Sequence, residues 1–226
     1  MNRRRWALAA TAAGLVAAFW LLPLALRQVP FFRVRQVELV GARFLAPESV
    51  LVALDLDRDR HLFDDNDDVT ARATALPGVT DVRVQRRLPG TLRIVLVQRE
   101  PVAFAPGAEG LVAVDADAVP LPYDPAATGL ALPLVPRPDS LLARALWVVR
   151  ATDSSLFGEV QAAHLAAGGA VVLDLTGQQI VLDGVPTARE IRAVGAVRRH
   201  LAETGRRAAQ LDARFAGRII ARRSRA

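Results

Sequence analysis

Read for the spacing of its apolar residues, the chain falls into stretches of three kinds. The run from Trp6 to Leu26 is apolar throughout and uncharged. At 1.5 Å rise per residue it makes a helix roughly 31 Å long, close to the hydrocarbon thickness of a bilayer. The second kind alternates with period two. In "FFRVRQVELVGARF", Val34, Gln36 and Glu38 alternate with Arg35, Val37 and Leu39 up to Gly41, which predicts a strand ending in a turn. In "VTDVRVQRRLPGTLRIVLVQREP", two alternating runs flank Leu88-Pro89-Gly90, with Val82 and Val84 on one and Leu92, Ile94 and Leu96 on the other, which predicts a hairpin. The third kind has helical period. Pro47 suits a first helical turn, Glu48 is favoured there by the helix dipole, and Val50, Leu51 and Leu54 supply an apolar face. A second short helix fits "DDVTARATALPG", with Asp67 or Asp68 as cap, Val69, Ala73 and Leu76 facing inward, and Pro77-Gly78 as the stop.

From Leu111 the pattern changes. "GLVAVDADAVPLPYD" reads as strand, acidic turn and short strand, and the Pro-rich "LALPLVPRPDS" as a connector. A helix follows from about Ser140 to Thr152 with Leu142, Leu146 and Val149 on one side. "VQAAHLAAGGAVVLDLTGQQIVLDG" supplies three strands broken at Gly168-Gly169 and Thr176-Gly177. The next helix opens at Pro186 with Thr187 and Glu190 at capping-box spacing, and buries Ile191, Val194, Val197 and Leu201.

The last stretch, "QLDARFAGRIIARRSRA", alternates again. Leu211, Ala213, Phe215, Gly217, Ile219 and Ala221 share one parity, and Asp212, Arg214, Arg218 and Arg222 the other. Two readings stand. A left-handed Gly217 lets the chain reverse, leaving Arg218 to Arg222 as a last strand with an open edge; otherwise the stretch is one kinked strand.

Composition narrows the function. With no cysteine there is no disulfide, thiolate ligand or cysteine nucleophile. The net charge is +6, but all 29 basic residues are arginine, so the charge reads as coding bias and nucleic-acid binding is not expected. His61, His164 and His200 stand apart from any second ligand, and neither a phosphate loop nor a nucleophile elbow is present. Asp55, Asp57 and Asp59 have calcium-loop spacing, but Arg60 stands at the sharp-turn position and Asn66 at the bidentate one. No catalytic residue, metal or cofactor is expected. Arg3, Arg4 and Arg5 precede the apolar run, which places the N-terminus in the cytoplasm and the body outside. A cleaved signal peptide has a shorter core and a small-residue cleavage site, so the run reads as an uncleaved anchor.

The order strand, helix, helix, strand, strand resembles a POTRA domain. With "HLFDDNDDV", "ALPGVTDVRVQRRLPGTLRIVLVQREPVAF", "AVDADAV" and "LDARFAGRII", the chain resembles the FtsQ/DivIB family of bacterial cell-division proteins. Three positions depart from that pattern: Asp117-Ala118 stands where a Gly usually follows the acid, Ala213 replaces a larger apolar residue, and Phe215 takes a Tyr position. The fold expected is α+β, with one N-terminal transmembrane helix, a β-α-α-β-β POTRA domain, and a β-rich domain with a mostly antiparallel sheet and flanking helices. The segments are 1–5 cytoplasmic tail, 6–26 membrane helix with Trp6, Trp20 and Leu26 as anchor residues, 27–32 linker, 33–101 POTRA domain, 102–222 β domain and 223–226 basic tail. The resemblance implies a non-enzymatic, single-pass inner-membrane scaffold at the division septum. Its POTRA domain meets upstream division proteins, and its β domain binds FtsB/FtsL-type partners. The expected docking residues lie in the terminal stretch: Leu211, Arg214, Phe215, Gly217, Arg218, Ile219, Ile220, Ala221 and Arg222. An anchored POTRA protein of an envelope secretion or assembly system is the alternative.

Overall fold

The computed structural model describes residues 30–57, 59–125, 129–215 and 217–223, which form two compact units meeting at Gln98/Arg99. The anchor residues Trp6, Trp20 and Leu26 lie outside the described residues. Among the described residues no helix is long and apolar enough to cross a membrane.

Unit 1 has the order β1 (Gln36–Val40), α1 (Pro47–Leu54), α2 (Asp67–Thr74), β2 (Val79–Arg87) and β3 (Thr91–Gln98). Its sheet runs β1-β3-β2, with β1 parallel and β2 antiparallel to the central β3. A parallel neighbour needs a crossover, and the two helices between β1 and β2 provide it. Leu92, Ile94 and Leu96 of β3 turn one face into a core with Val50, Leu54, Leu62, Val69 and Ala73. Gly41 ends β1 at φ +84, and a Cβ there would stand 2.1 Å from the Leu96 carbonyl oxygen, so only glycine fits.

Two expectations for this unit need correction. Leu51 is 40% exposed, because Val50 and Leu54 at i, i+4 already fill the inward stripe of an eight-residue helix. Neither Asp67 nor Asp68 caps α2. Both lie in its first turn, the N-cap is Asn66, and its side chain makes no cap bond. Asp68 is instead engaged by Arg60 (Nη2 to Oδ1, 2.8 Å) and Arg72 (Nη2 to Oδ2, 2.7 Å). Arg60 also donates to Asn66 Oδ1 at 3.2 Å and to the Asp65 carbonyl, so the acidic loop carries its own buried cation. The Arg60 hydrogen bond holds the Asp68 carboxyl down at about 2.

Unit 2 begins with β4 (Ala103–Pro106), β5 (Leu111–Val114) and β6 (Pro120–Leu121), an antiparallel set ordered β4-β5-β6. Asp115 closes the β5–β6 turn by accepting the N–H groups of Asp117 and Val119 at 3.0 and 2.9 Å, and pairs with Arg99 at 2.6 Å. Where the resemblance leads one to expect glycine, Ala118 adopts φ +62. The Pro-rich segment does more than connect. Leu134 bridges Phe104 of β4 on one side and Ala162 on the other, both in parallel sense.

The rest of unit 2 is α3 (Ser140–Thr152), α4 (Ser154–Glu159), β7 (Val160–Leu165), β8 (Val171–Leu175), β9 (Gln178–Leu182), α5 (Ala188–Glu203), β10 (Gln210–Phe215) and β11 (Arg218–Arg222). The short α4 has no counterpart in the sequence reading. Its six residues are too few to show a period, and Asp153 ends α3 while capping α4 through the Leu156 N–H at 2.9 Å. The sheet order is β11-β10-β9-β8-β7, antiparallel except for the β9–β10 pair, which α5 connects. Leu142, Leu146 and Val149 of α3 and Ile191 and Val194 of α5 share a core with Leu173, Ile180 and Leu211. Val197 and Leu201 are only half-buried at its margin. The capping box at α5 is formed on both sides, with Thr187 N–H to Glu190 Oε2 at 2.7 Å and Glu190 N–H to Thr187 Oγ1 at 3.3 Å.

Candidate partner-docking edge

The chain does reverse near its end. Gly217 adopts φ +71, and β11 folds back antiparallel on β10, pairing Gln210 with Arg222, Leu211 with Ala221, Asp212 with Ile220 and Phe215 with Arg218. This puts β10 inside the sheet and makes β11 its last strand. Among the described residues, no strand pairs with the outer side of β11.

The direction of the β11 amides follows from the neighbouring ladder. The Ala209 carbonyl accepts Gln179 N–H at 2.8 Å on the β9 side, while the Arg222 carbonyl accepts Ala209 N–H at 2.9 Å. Peptide groups alternate along a strand, so Gln210 and Asp212 present theirs to β11, and Arg222 and Ile220 present theirs to β10. Ile219 and Ala221 therefore direct their N–H and C=O groups outward, ready to pair with an added strand.

A register shift between Asp212 and Phe215 breaks the single parity seen in the sequence. Leu211 and Ala213 face the core, but Phe215 is 48% exposed. Asp212, on the opposite face in register with Val181 and Ile220, is only 1% exposed. Burying a carboxylate is costly unless it is paired, and two arginines pair this one. Arg214 donates Nε and Nη2 at 2.9 and 2.8 Å, and Arg222 donates Nη2 at 3.3 Å. The Arg214 hydrogen bond, above all, holds the Asp212 carboxyl below its ordinary value. In the sequence Asp212 shares its parity with Arg214, Arg218 and Arg222, and that parity does not foretell its burial. The signal was present in its position between two apolar residues and within reach of arginines at i+2 and i+10.

A groove of about 630 Å³ runs beside the hairpin, between α5 and the strands; Thr187, Glu190, Ala193 and Val197 form one wall and Ala213, Phe215 and Ile219 the other. Its lining is mixed: Ala193, Val197, Ala213, Phe215 and Ile219 are apolar, while Thr187, Arg189, Glu190 and Arg218 are polar or charged. Of the residues expected to dock a partner, Phe215, Gly217, Arg218 and Ile219 line this groove, and Ile220, Ala221 and Arg222 are exposed along β11. Leu211 is fully buried and its side chain serves the core. Arg214 is tied to Asp212, with its guanidinium 6.0 Å from the Phe215 ring centroid. Among the described residues, no cluster of His, Cys, Asp or Glu is arranged to hold a metal.

Unit 1 has the β-α-α-β-β order of a POTRA domain, and unit 2 ends on a strand whose outer edge is open among the described residues. Residues 32–99 match the POTRA domain, FtsQ-type, family. The cell division protein FtsQ of Mycobacteroides abscessus is 30% identical over 174 residues, covering 74% of this chain and 56% of that protein. FtsQ of Mycolicibacterium smegmatis is 30% identical over 179 residues, covering 76% and 53%. FtsQ of Chloroflexus aurantiacus is 37% identical over 73 residues, covering 32% and 27%. The chain spans about half the length of the Mycobacteroides abscessus and Mycolicibacterium smegmatis relatives. The chain is thus similar to FtsQ cell-division proteins over about three quarters of its length and carries an FtsQ-type POTRA domain.

Proposed function

We propose that the chain is a non-enzymatic, membrane-anchored scaffold of the division machinery, at the septum, that links early division proteins to septal wall synthesis. In this reading residues 6–26 cross the inner membrane with Arg3 to Arg5 inside, the POTRA unit meets upstream division proteins, and the β unit binds FtsB/FtsL-type partners. One observation carries it: β11 is an exposed last strand whose outward amides, at Ile219 and Ala221, sit beside a groove lined by Val197, Phe215 and Ile219 together with Arg189, Glu190 and Arg218. A partner strand added there gains roughly 1 kcal/mol net per backbone hydrogen bond and sends alternate side chains towards the groove. Arg189, Arg218 and Arg222 favour an acidic partner.

Proline substitution tests the edge. Ala221→Pro removes an outward donor from an exposed position and leaves the β10 ladder intact, so the protein should fold and lose its FtsB/FtsL-type partner on co-purification. Ile220→Pro removes a donor to β10 and should loosen the hairpin itself. If Ala221→Pro, folded, still co-purifies that partner at the wild-type level, β11 is not the docking edge.

A further inference from the structure

We propose that the end of unit 1 bearing Phe31 and Leu88 rests in the headgroup layer of the bilayer, an inference that builds on residues 6–26 being the membrane anchor. Phe31 is 58% exposed and Leu88 68% exposed. They are far apart in sequence but share one end of the unit, because the Gly90 carbonyl accepts the N–H groups of Arg35 at 2.9 Å and Gln36 at 3.2 Å. The packing there is close enough that a Cβ on Gly90 would stand 2.6 Å from the Arg33 carbonyl oxygen.

Arg33 and Arg35 follow Phe31 in the chain and Arg86 and Arg87 precede Leu88, and each already has a partner of opposite charge or a carbonyl. Arg33 pairs with Asp59 at 3.2 Å and Arg87 with Glu38 at 3.5 Å. Arg86 donates to the Asp64 carbonyl at 2.8 Å, and Arg35 to the Phe31 carbonyl at 3.3 Å with its guanidinium 5.6 Å from the Phe31 ring centroid. Apolar tips amid long side chains of both signs suit a headgroup layer, which offers both charges and an apolar boundary just below.

The tether fixes the occupant. Four residues, Arg27 to Pro30, lie between Leu26 and Phe31, which makes five residue-to-residue steps. At no more than about 3.6 Å per residue, Phe31 stays within roughly 18 Å of the hydrocarbon edge, and the headgroup layer fills about 5 to 8 Å of that. A surface held so close, with two large apolar side chains uncovered, has lipid as its constant neighbour.

The chain lacks cysteine, so Leu88→Cys provides a single labelling site, and Thr80→Cys provides a control near the other end of β2. Thr80 lies roughly 25 Å from Leu88 at about 3.3 Å per strand residue. Each full-length variant is labelled with an environment-sensitive fluorophore and inserted into phosphatidylcholine vesicles containing a nitroxide on the lipid headgroup. The expected result is quenching at least about twofold stronger at position 88 than at 80, with a blue-shifted emission, weakened when Phe31→Glu is added. Vesicle flotation after an alkaline wash separates the two ways of failing. If the chain floats but both positions are quenched equally, the proposal is wrong while the anchor stands. If the chain does not float, the anchor reading fails and the proposal falls with it.

Discussion

Asp212 of the interior strand β10 and Arg222 of the edge strand β11 meet at 3.3 Å, which ties the exposed strand to a carboxylate that is itself 1% exposed. Arg214 holds the same carboxylate from its own strand at 2.8 Å. Asp212→Asn keeps the size but removes the charge that both arginines need, and should cost about 2 kcal/mol. Urea unfolding measures the loss, and hydrogen exchange should show it concentrated in the amides of residues 220 and 222, which pair inward. Equal protection in the two proteins would mean that Asp212 does not hold β11 in place.

The Arg60–Asp68 pair predicts an acid-sensitive step in unit 1. The Asp68 carboxyl is lowered from 3.8 to about 2 in the folded protein, so its contribution is full above 3.8 and is lost as pH falls through about 2. The side chain is half exposed, so solvent screens the effect and it will be modest. Thermal melts of the wild type and Asp68→Asn should differ at neutral pH and converge between pH 3.8 and 2.

Ala118 occupies a left-handed conformation at φ +62 in the turn that Asp115 closes. Ala118→Gly should relieve that strain and stabilise unit 2 by about 0.5–1 kcal/mol, seen as a higher urea midpoint at unchanged slope. An unchanged or lower midpoint would mean that the packing of the Ala118 methyl outweighs the strain.

Gly41 gives the opposite case. Its φ of +84 and the 2.1 Å approach of a Cβ to the Leu96 carbonyl both exclude a side chain, so Gly41→Ala should destabilise unit 1 by more than about 2 kcal/mol. Calorimetry should show one transition moving down while the transition of residues 99–226 keeps its midpoint. A shift of both together would mean that the units do not melt independently.

Local chemistry made most elements legible without tertiary information. Pro47 and the Thr187–Glu190 box are short-range devices. So are the alternation in "VRVQRRLPGTLRIVLV" and the stripe Leu142, Leu146, Val149, and each is visible within a window of a few residues. The run from Trp6 to Leu26 is equally plain as a pattern. The rest depended on pairing at long range. Whether "QLDARFAGRII" folds as a hairpin or one strand turned on Gly217 and on the slot that β9 leaves for β10, which no local period encodes. Pro133 to Val135 read as a linker because proline hides strand character, yet Leu134 joins β4 to β7. Parity assigns Asp212 a face but not its cover. A bulge and two arginines, one of them from the opposite strand, made that face a buried ion-pair site.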